Sequence, residues 1–457
     1  MKRFLCIGLL VILMLSLVAC KGKTVVDVPE VPDKPVVENP VEDSPISTPV
    51  ETPSDISTEN PVEIPNEEPF QENLSYNISL FNQLLNNEEL VMNNFCVSPY
   101  SLKQALLLAY VGAENGSDSQ KELIDLLDLI ETGKSTIHEY ERDNCTILTS
   151  SDAVNFKVAN LALVDESLIK SDKFEDVFVK TLKEYYNSAV EMSDLQDVSI
   201  VDKVNKFAND NTEGTIPKLI DRPFIENTRL VLLNAVYFLG DWRLPFEGNN
   251  TYSDIFYGLN GENKVDFMSG TKEVKYFEND LFKSISLEYK SDENVVNAPT
   301  YEMSFYLPVD ESINIVELFK NLEDKEELLN IDKEYKYLDT NIKLPKFEIE
   351  TSLNLTDTLG SMGMEYCLNP ANMDFTNIAD VEKSNGFYIS EVIQKTYIKV
   401  DEKGTEASAV TAVIMKDNCA MIITPDYKEF IADRPFIYVI RDTYTDTVLF
   451  MGIISNK

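Results

Sequence analysis

Any histidine-dependent chemistry in this chain of 457 residues has one side chain to use, because His138 is its only histidine. A Ser-His-Asp or Cys-His triad needs a base within hydrogen-bond reach of a nucleophile, and the surrounding stretch KSTIHEYERDN shows no nucleophile-elbow pattern. Six cysteines are present. Cys6 and Cys20 lie near the amino terminus, while Cys96, Cys145, Cys367 and Cys419 lack the paired spacing that holds zinc. Neither a metal nor a cofactor is expected, and no disulfide framework. Cys96 and Cys367 read as core thiols and Cys419 as an exposed thiol open to oxidation. A different kind of chemistry is suggested by EKGTEASAVTAVIMKDNCAM, Glu402 to Met421. Between Gly404 and Met415 it carries one charge, no proline and a run of small or β-branched side chains, and then Lys416, Asp417 and Asn418 follow. Strand-like composition runs straight into residues unsuited to a core.

A strand buried on one face needs small or apolar side chains at every second position. With Thr405 inward, Ala407, Ala409, Thr411, Val413 and Met415 share its face, and Glu406, Ser408, Val410, Ala412 and Ile414 take the other. An inward carboxylate would cost several kcal/mol unless paired, and a proline would remove a ladder donor; the inward set contains neither. Gly404 just ahead tolerates the dihedral changes of a hinge.

The elements around this segment are mixed. Leu74, Ile78, Phe81 and Leu85 recur at helical spacing, and Ser101 to Val111 is apolar and helix-forming, so it reads as a buried helix. A further helix is expected over Lys173 to Tyr186 with Phe174, Val177, Phe178 and Leu182 on one face. Strand patterns occupy Leu230–Leu239, Tyr301–Leu307, Asn341–Glu350, Tyr388–Val400, Phe436–Ile440 and Thr447–Ile453. Helices lead, strands dominate later, and no βαβ repeat appears. The expected class is α+β with large, mostly antiparallel sheets. A content of 44% hydrophobic and 10% aromatic residues is enough for a substantial core. Acids outnumber bases 78 to 40, and the net charge of −38 repels phosphate backbones, which argues against a nucleic-acid partner.

Five stretches resemble the serpins: NNFCVSPYSL (Asn93–Leu102), NAVYFLGDWRLPF (Asn234–Phe246), EKGTEASA (Glu402–Ala409), ADRPFIYVIRD (Ala432–Asp442) and VLFMGIISN (Val448–Asn456). They occur in the family's order and extend the resemblance over residues 71–457. The resemblance implies a serpin fold of three β-sheets and eight or nine helices with an exposed reactive-centre loop. It also implies inhibition of a serine or papain-like cysteine protease by a suicide-substrate mechanism, in which the cleaved loop inserts into the large sheet. The partner would be the target protease, and the protein a monomer. The hinge of that loop would be Glu402, Gly404, Thr405, Glu406, Ala407, Ser408 and Ala409. Family spacing from Gly404 puts the reactive bond between Asn418 and Cys419, with a shift to Lys416 left open. Lys346, in KLPKFEIE, would pair with Glu402, and Trp242 would be a buried aromatic where insertion begins. Ser98, Ser101 and Asn234 would form a polar cluster that parts when the sheet opens. The family's usual histidine in that cluster is here Gln394, in YISEVIQKTYIKV, which keeps donors and acceptors and removes the titratable group. A non-inhibitory serpin serving as a cell-surface binding module is the alternative, and a hydrolase would need His138.

The amino terminus reads as an export signal. Lys2 and Arg3 precede an apolar run from Phe4 to Leu15, too short to span a membrane comfortably. Leu17-Val18-Ala19-Cys20 resembles the lipobox of bacterial lipoproteins, which implies a signal over residues 1–19 and a lipid anchor on Cys20 in an exported, membrane-anchored protein. An ordinary signal with a chance cysteine is the alternative. Residues 20–70 hold ten of the twenty prolines and twelve acids against three lysines, with Pro-Val-Glu repeated at Pro40, Pro49 and Pro61. Proline removes amide donors and like charges repel, so this segment reads as a linker, up to ~150 Å long at about 3.1 Å per residue. A lipid anchor makes a direct prediction. In the full-length protein expressed in a bacterial host, Cys20→Ser moves the protein from the membrane to the soluble fraction and abolishes incorporation of labelled palmitate.

Overall fold

Strand β4 (Leu230–Asp241) shows how a nearly unbroken apolar run is read by the fold. Its odd-numbered Val231, Leu233 and Ala235 pack in one core cluster with Ile200, Val204 and Ala208, while Leu230, Leu232, Val236 and Phe238 point into clusters on the opposite face. Both faces are covered, so the two-residue alternation of a half-exposed strand is replaced by continuous burial. The computed structural model describes residues 74–129, 136–170, 173–186, 188–292, 298–331, 334–381, 386–405 and 427–456. The chain divides into Met1–Pro61 and Val62–Lys457, and every described residue belongs to the second unit.

Among the described residues there are nine α-helices: α1 (Ser75–Leu85), α2 (Glu88–Met92), α3 (Pro99–Gly112), α4 (Asp118–Leu127), α5 (Ile137–Leu148), α6 (Asp176–Thr181), α7 (Ser199–Asn211), α8 (Ile315–Asn321) and α9 (Thr356–Ser361). One sheet has six strands in the order β10 (Phe347–Asn354), β11 (Ile389–Val400), β12 (Gly404–Thr405), β4, β2 (Val154–Asp165) and β3 (Ala189–Ser193). The other has nine. Its path runs β1 (Phe95–Val97), β15 (Thr447–Ile454), β14 (Phe436–Asp442), β8 (Tyr301–Pro308), β7 (Phe282–Glu288), β6 (Gly261–Glu278), β9 (Lys336–Pro345) and β13 (Lys428–Ile431), with β5 (Tyr252–Gly258) paired to β6. The 18-residue β6 pairs with β5 at its start, with β9 along its middle and with β7 at its end. Sharing that one long strand joins two of the three expected sheets into a single hydrogen-bonded network. The architecture is α+β.

Two expected elements are corrected. Asn341–Glu350, read as one strand, is the end of β9 and the start of β10, in different sheets. Pro345 ends the first, and Lys346 at the crossing donates its amide to Asp266. The helix expected over 173–186 is α6 followed by a π-turn over Leu182–Tyr186. Phe178 and Leu182 are buried, but Val177 is 76% exposed, because the apolar stripe of so short a helix is only one residue wide. The helix read at Ser101–Val111 is α3, whose start is fixed by Pro99 at its first position and by Ser98, whose Oγ accepts the Ser101 amide at 3.2 Å.

Candidate functional site

Polar residues on the inner face of the six-stranded sheet form a row. Asn160 of β2 is in register with Asn234 of β4, and Asn234 is in register with Gln394 of β11. Each is buried amid apolar neighbours, so each must find partners there. Gln394 Nε2 donates to Asn234 Oδ1 at 2.8 Å and to the Ser98 carbonyl at 3.0 Å, and its Oε1 accepts the Ser98 amide at 2.9 Å. Asn234 Nδ2 donates to Asn160 Oδ1 at 2.6 Å and to the Ser101 carbonyl at 3.1 Å, and it also contacts Ser101 Oγ. The row thereby ties three strands to the amino-terminal turn of α3. No member titrates in the ordinary pH range. Beside it, Thr396 Oγ1 donates to the Cys96 carbonyl at 2.9 Å and the Cys96 amide donates to Thr351 Oγ1 at 2.9 Å, so β1 is satisfied by threonines of β11 and β10. Burial pushes the Cys96 thiol up to about 12, which makes it an inert core group.

At the row, β4 and β11 pair directly and in parallel, from Leu230 with Ile389 to Val236 with Thr396. Beyond it they separate, and β12 lies between them. Thr405 pairs antiparallel with Val400 on one side and with Gly240 on the other, and Gly404 pairs with Asp241. A Cβ on Gly404 would run into the Gly240 carbonyl, so only glycine allows the approach. Thr405 is fully buried, and its hydroxyl lies 2.6 Å from Tyr289 Oη. Tyr289 in turn stacks on Trp242, with ring centroids 4.6 Å apart. Burial raises the Tyr289 phenol, with the Thr405 hydrogen bond opposing, so it stays neutral and able to donate.

The turn from β11 to β12 is held at every carbonyl. Trp242 Nε1 donates to Asp401 O at 3.0 Å, the Phe246 amide to Glu402 O at 2.7 Å, the Trp242 amide to Lys403 O at 2.7 Å, and the Asp401 amide to Gly404 O at 3.0 Å. The Glu402 carboxylate accepts from Lys346 Nζ at 2.8 Å and from Thr251 Oγ1 at 2.6 Å. Partial burial raises the Glu402 carboxyl, but these two hydrogen bonds, together with a backbone hydrogen bond and the Lys346 charge, outweigh it and hold the group below the usual carboxylate range.

Of the residues singled out in the sequence, Ser98, Ser101, Asn234 and Gln394 meet in one cluster, and Trp242, Lys346, Glu402, Gly404 and Thr405 meet in another. Glu406, Ala407, Ser408, Ala409, Lys416, Asn418, Cys419 and Cys20 lie outside the described residues. Asn160, Thr251, Phe246 and Tyr289 complete the two clusters and were not singled out. Phe246 closes the stretch NAVYFLGDWRLPF, and Asn160 left a trace as a lone amide inside the apolar strand VANLALV. His138 is elsewhere, its Nδ1 2.6 Å from Tyr186 Oη and its ring against Tyr110 and Tyr185. Burial lowers its pKa, and no serine or cysteine hydrogen bonds to it among the described residues. Those residues also contain no cluster of His, Cys, Asp and Glu fit to hold a metal ion.

A fold with two antiparallel-rich sheets and a strand begun between parallel neighbours is that of a serpin, and three comparisons agree. The family model for serpins, serine protease inhibitors, matches residues 71–457, so the chain belongs to the serpin family. It is 31% identical over 381 residues to an uncharacterized serpin-like protein of Methanosarcina mazei, covering 82% of this chain and 84% of that protein. A leukocyte elastase inhibitor of Xenopus laevis is 29% identical over 386 residues, covering 81% and 95%. The crystal structure of the thermophilic serpin tengpin in its native state matches with a TM-score of 0.72 at 27% identity, covering 84% of this chain and 92% of that one. Members of this family are generally protease inhibitors rather than enzymes.

Two pH predictions follow from the clusters. Gln394→His puts a titratable ring where burial favours its neutral form, so its pKa falls below the ordinary ~6.5. The unfolding free energy of that variant, measured by urea titration, declines as pH falls from about 7.5 to 5.5, at up to ~1.4 kcal/mol per pH unit, relative to the unsubstituted protein. Glu402 behaves in the acid range. Its pKa is lowered by folding, so its contribution is full above the unfolded value of about 4.3 and is lost as pH drops through the folded value. The difference in urea midpoint between the protein and Glu402→Gln therefore closes below about pH 4.

Proposed function

We propose that this protein inhibits serine or papain-like cysteine endopeptidases as a suicide substrate. The protease nucleophile attacks the Asn418 carbonyl carbon, the bond to the Cys419 nitrogen breaks, and that nitrogen leaves with a proton. An acyl-enzyme remains, and insertion of the freed strand traps it before water can release the acyl group. Serpin loop insertion is a known case of strand addition with release of stored strain.

The observation that carries this reading is β12, two residues long and already paired to both neighbours in antiparallel register. Carried on in that register, Ala407 would fall opposite Phe238, Ala409 opposite Val236, and Thr411 between Asn234 and Gln394. Thr411 is the one polar inward residue of the run after Thr405, and it would meet the row of Asn160, Asn234 and Gln394, where a hydroxyl can both donate and accept. Insertion would replace a parallel pairing by two antiparallel ones. About ten added ladder bonds at ~0.5–1.5 kcal/mol each amount to roughly 5–15 kcal/mol before side-chain burial.

The small, proline-free hinge favours inhibition over a non-inhibitory surface-binding role. Asn418 suits an asparagine-preferring or papain-like cysteine protease, whereas cleavage at Lys416 would suit a trypsin-like enzyme. The folded domain, residues 71–457, would act as a monomer held outside the cell by the linker of residues 20–70 and the lipid on Cys20. No catalysis of its own is assigned to it.

Mixing residues 71–457 with a panel of serine and cysteine proteases is the test. An SDS-stable complex is expected with at least one, and nicking of the loop is expected to raise the melting temperature by ten degrees or more. Ala409→Arg, which puts a charge on the inward face, abolishes the complex and leaves a cleaved substrate. Clean cleavage without a complex or a rise in melting temperature would mark the binding-module reading, and peptide hydrolysis lost in His138→Ala the enzyme reading.

A further inference from the structure

The three carbonyls of the turn Asp401–Lys403 are all held by a single short segment, Trp242–Phe246. That segment is itself braced at both ends. At one end Trp242 stacks on Tyr289, and the Arg243 amide donates to Glu288 O at 2.8 Å. At the other, Lys272 Nζ donates to Pro245 O at 2.6 Å and lies 4.6 Å from the centroid of the Phe246 ring. Lys272 is on β6, in register with Thr340 of β9, so it anchors the segment to the nine-stranded sheet. A proline carbonyl has no amide beside it to share a ladder, and a cation over an aromatic face is a directional contact.

The turn that Trp242–Phe246 grips is the closing turn of the β11–β12 hairpin, and strand insertion in the observed register lengthens that hairpin without remaking its turn. Forming a turn is the costly first step of building a hairpin, since it orders residues before ladder bonds reward them. We infer that Lys272 is a positioning residue for loop insertion: by fixing Pro245 and Phe246 it keeps Trp242–Phe246 in the shape that holds the Asp401–Lys403 turn ready before the loop is cut. The inference rests on the inhibitory reading above for its consequence, and on the uncut protein alone for its geometry.

Lys272→Met keeps the aliphatic stem and removes the donor and the charge; Lys272→Arg restores both. In the uncut protein, hydrogen exchange of the Asp401 amide, which closes the turn, is expected to accelerate about five-fold in Lys272→Met, the factor that one net hydrogen bond carries. Annealing of the synthetic peptide TEASAVTAVIM, residues 405–415, is followed through Trp242, the only tryptophan and one the peptide lacks. It is expected to be faster in Lys272→Met, because a loosened turn lets Thr405 vacate the entry between Val400 and Gly240. With a protease that forms the SDS-stable complex, the ratio of complex to cleaved protein is expected to fall, because the protein's own strand now starts from an unformed turn. Opposite signs in the last two measurements separate templating from general loosening, which would speed both. Unchanged Asp401 exchange in Lys272→Met, or peptide annealing and complex formation that move in the same direction, would overturn the inference. Absence of any complex with the unsubstituted protein would instead sink the inhibitory reading and leave the exchange measurement to decide the role of Lys272.

Discussion

The parallel pairing of β4 with β11 is the constraint on which the rest of this molecule depends. The two strands are consecutive neighbours in the sheet at Leu230–Val236 and Ile389–Thr396, yet a third strand has begun between them at Gly404 and Thr405. A sheet cannot satisfy both arrangements along its whole length. Where β4 and β11 touch, the amides of Asn160, Asn234 and Gln394 cross-link them to each other and to α3. Where they part, Thr405 fills the opening and hydrogen bonds to Tyr289. The boundary between those regimes is a few residues wide, and it is held by exchangeable hydrogen bonds rather than by covalent links.

This division of labour explains the chemistry of each cluster. The central row is made of neutral amides and hydroxyls, which can trade one partner for another at modest net cost. A buried ion pair in its place would leave an uncompensated charge when pulled apart, a penalty of several kcal/mol. At the turn at the head of the opening, by contrast, every carbonyl is bonded and a carboxylate is held by Lys346 and Thr251. The aromatic pair Trp242 and Tyr289 lies where the two regions meet. With Gln394 in it, the row holds no group that titrates in the ordinary pH range.

Much of this was legible in the residues themselves, for reasons that can be named. Gly404 and Thr405 drew notice because they open a run of small, uncharged side chains, a property carried by the residues themselves. The helix body at Ser101–Val111 and the strand at Leu230 were readable because apolar composition acts over a few neighbouring positions, whereas the start at Pro99 with its Ser98 cap came from the structure. Val177 misled because a six-residue helix has too few turns for periodicity to separate its faces. Asn341–Glu350 misled because a chain that crosses from one sheet to another can keep its strand composition throughout, with Pro345 the only local sign. Thr251 and Tyr289 could not be found at all, since nothing in a surface threonine or a core tyrosine says which distant backbone it will meet.

By itself the sequence determined the composition of the 404–415 run, the single histidine at His138 and the family to which the motifs point. Only the tertiary structure decided that Gly404 and Thr405 are already seated between β11 and β4, that Gln394 and Asn234 are bonded across 160 residues of chain, and that one long strand merges two sheets. Side-chain parity is a local property, set by the pleat of one strand. Which strand lies beside it, and in what register, is settled by pairings between segments far apart in the chain, and those pairings depend on the whole core being assembled at once.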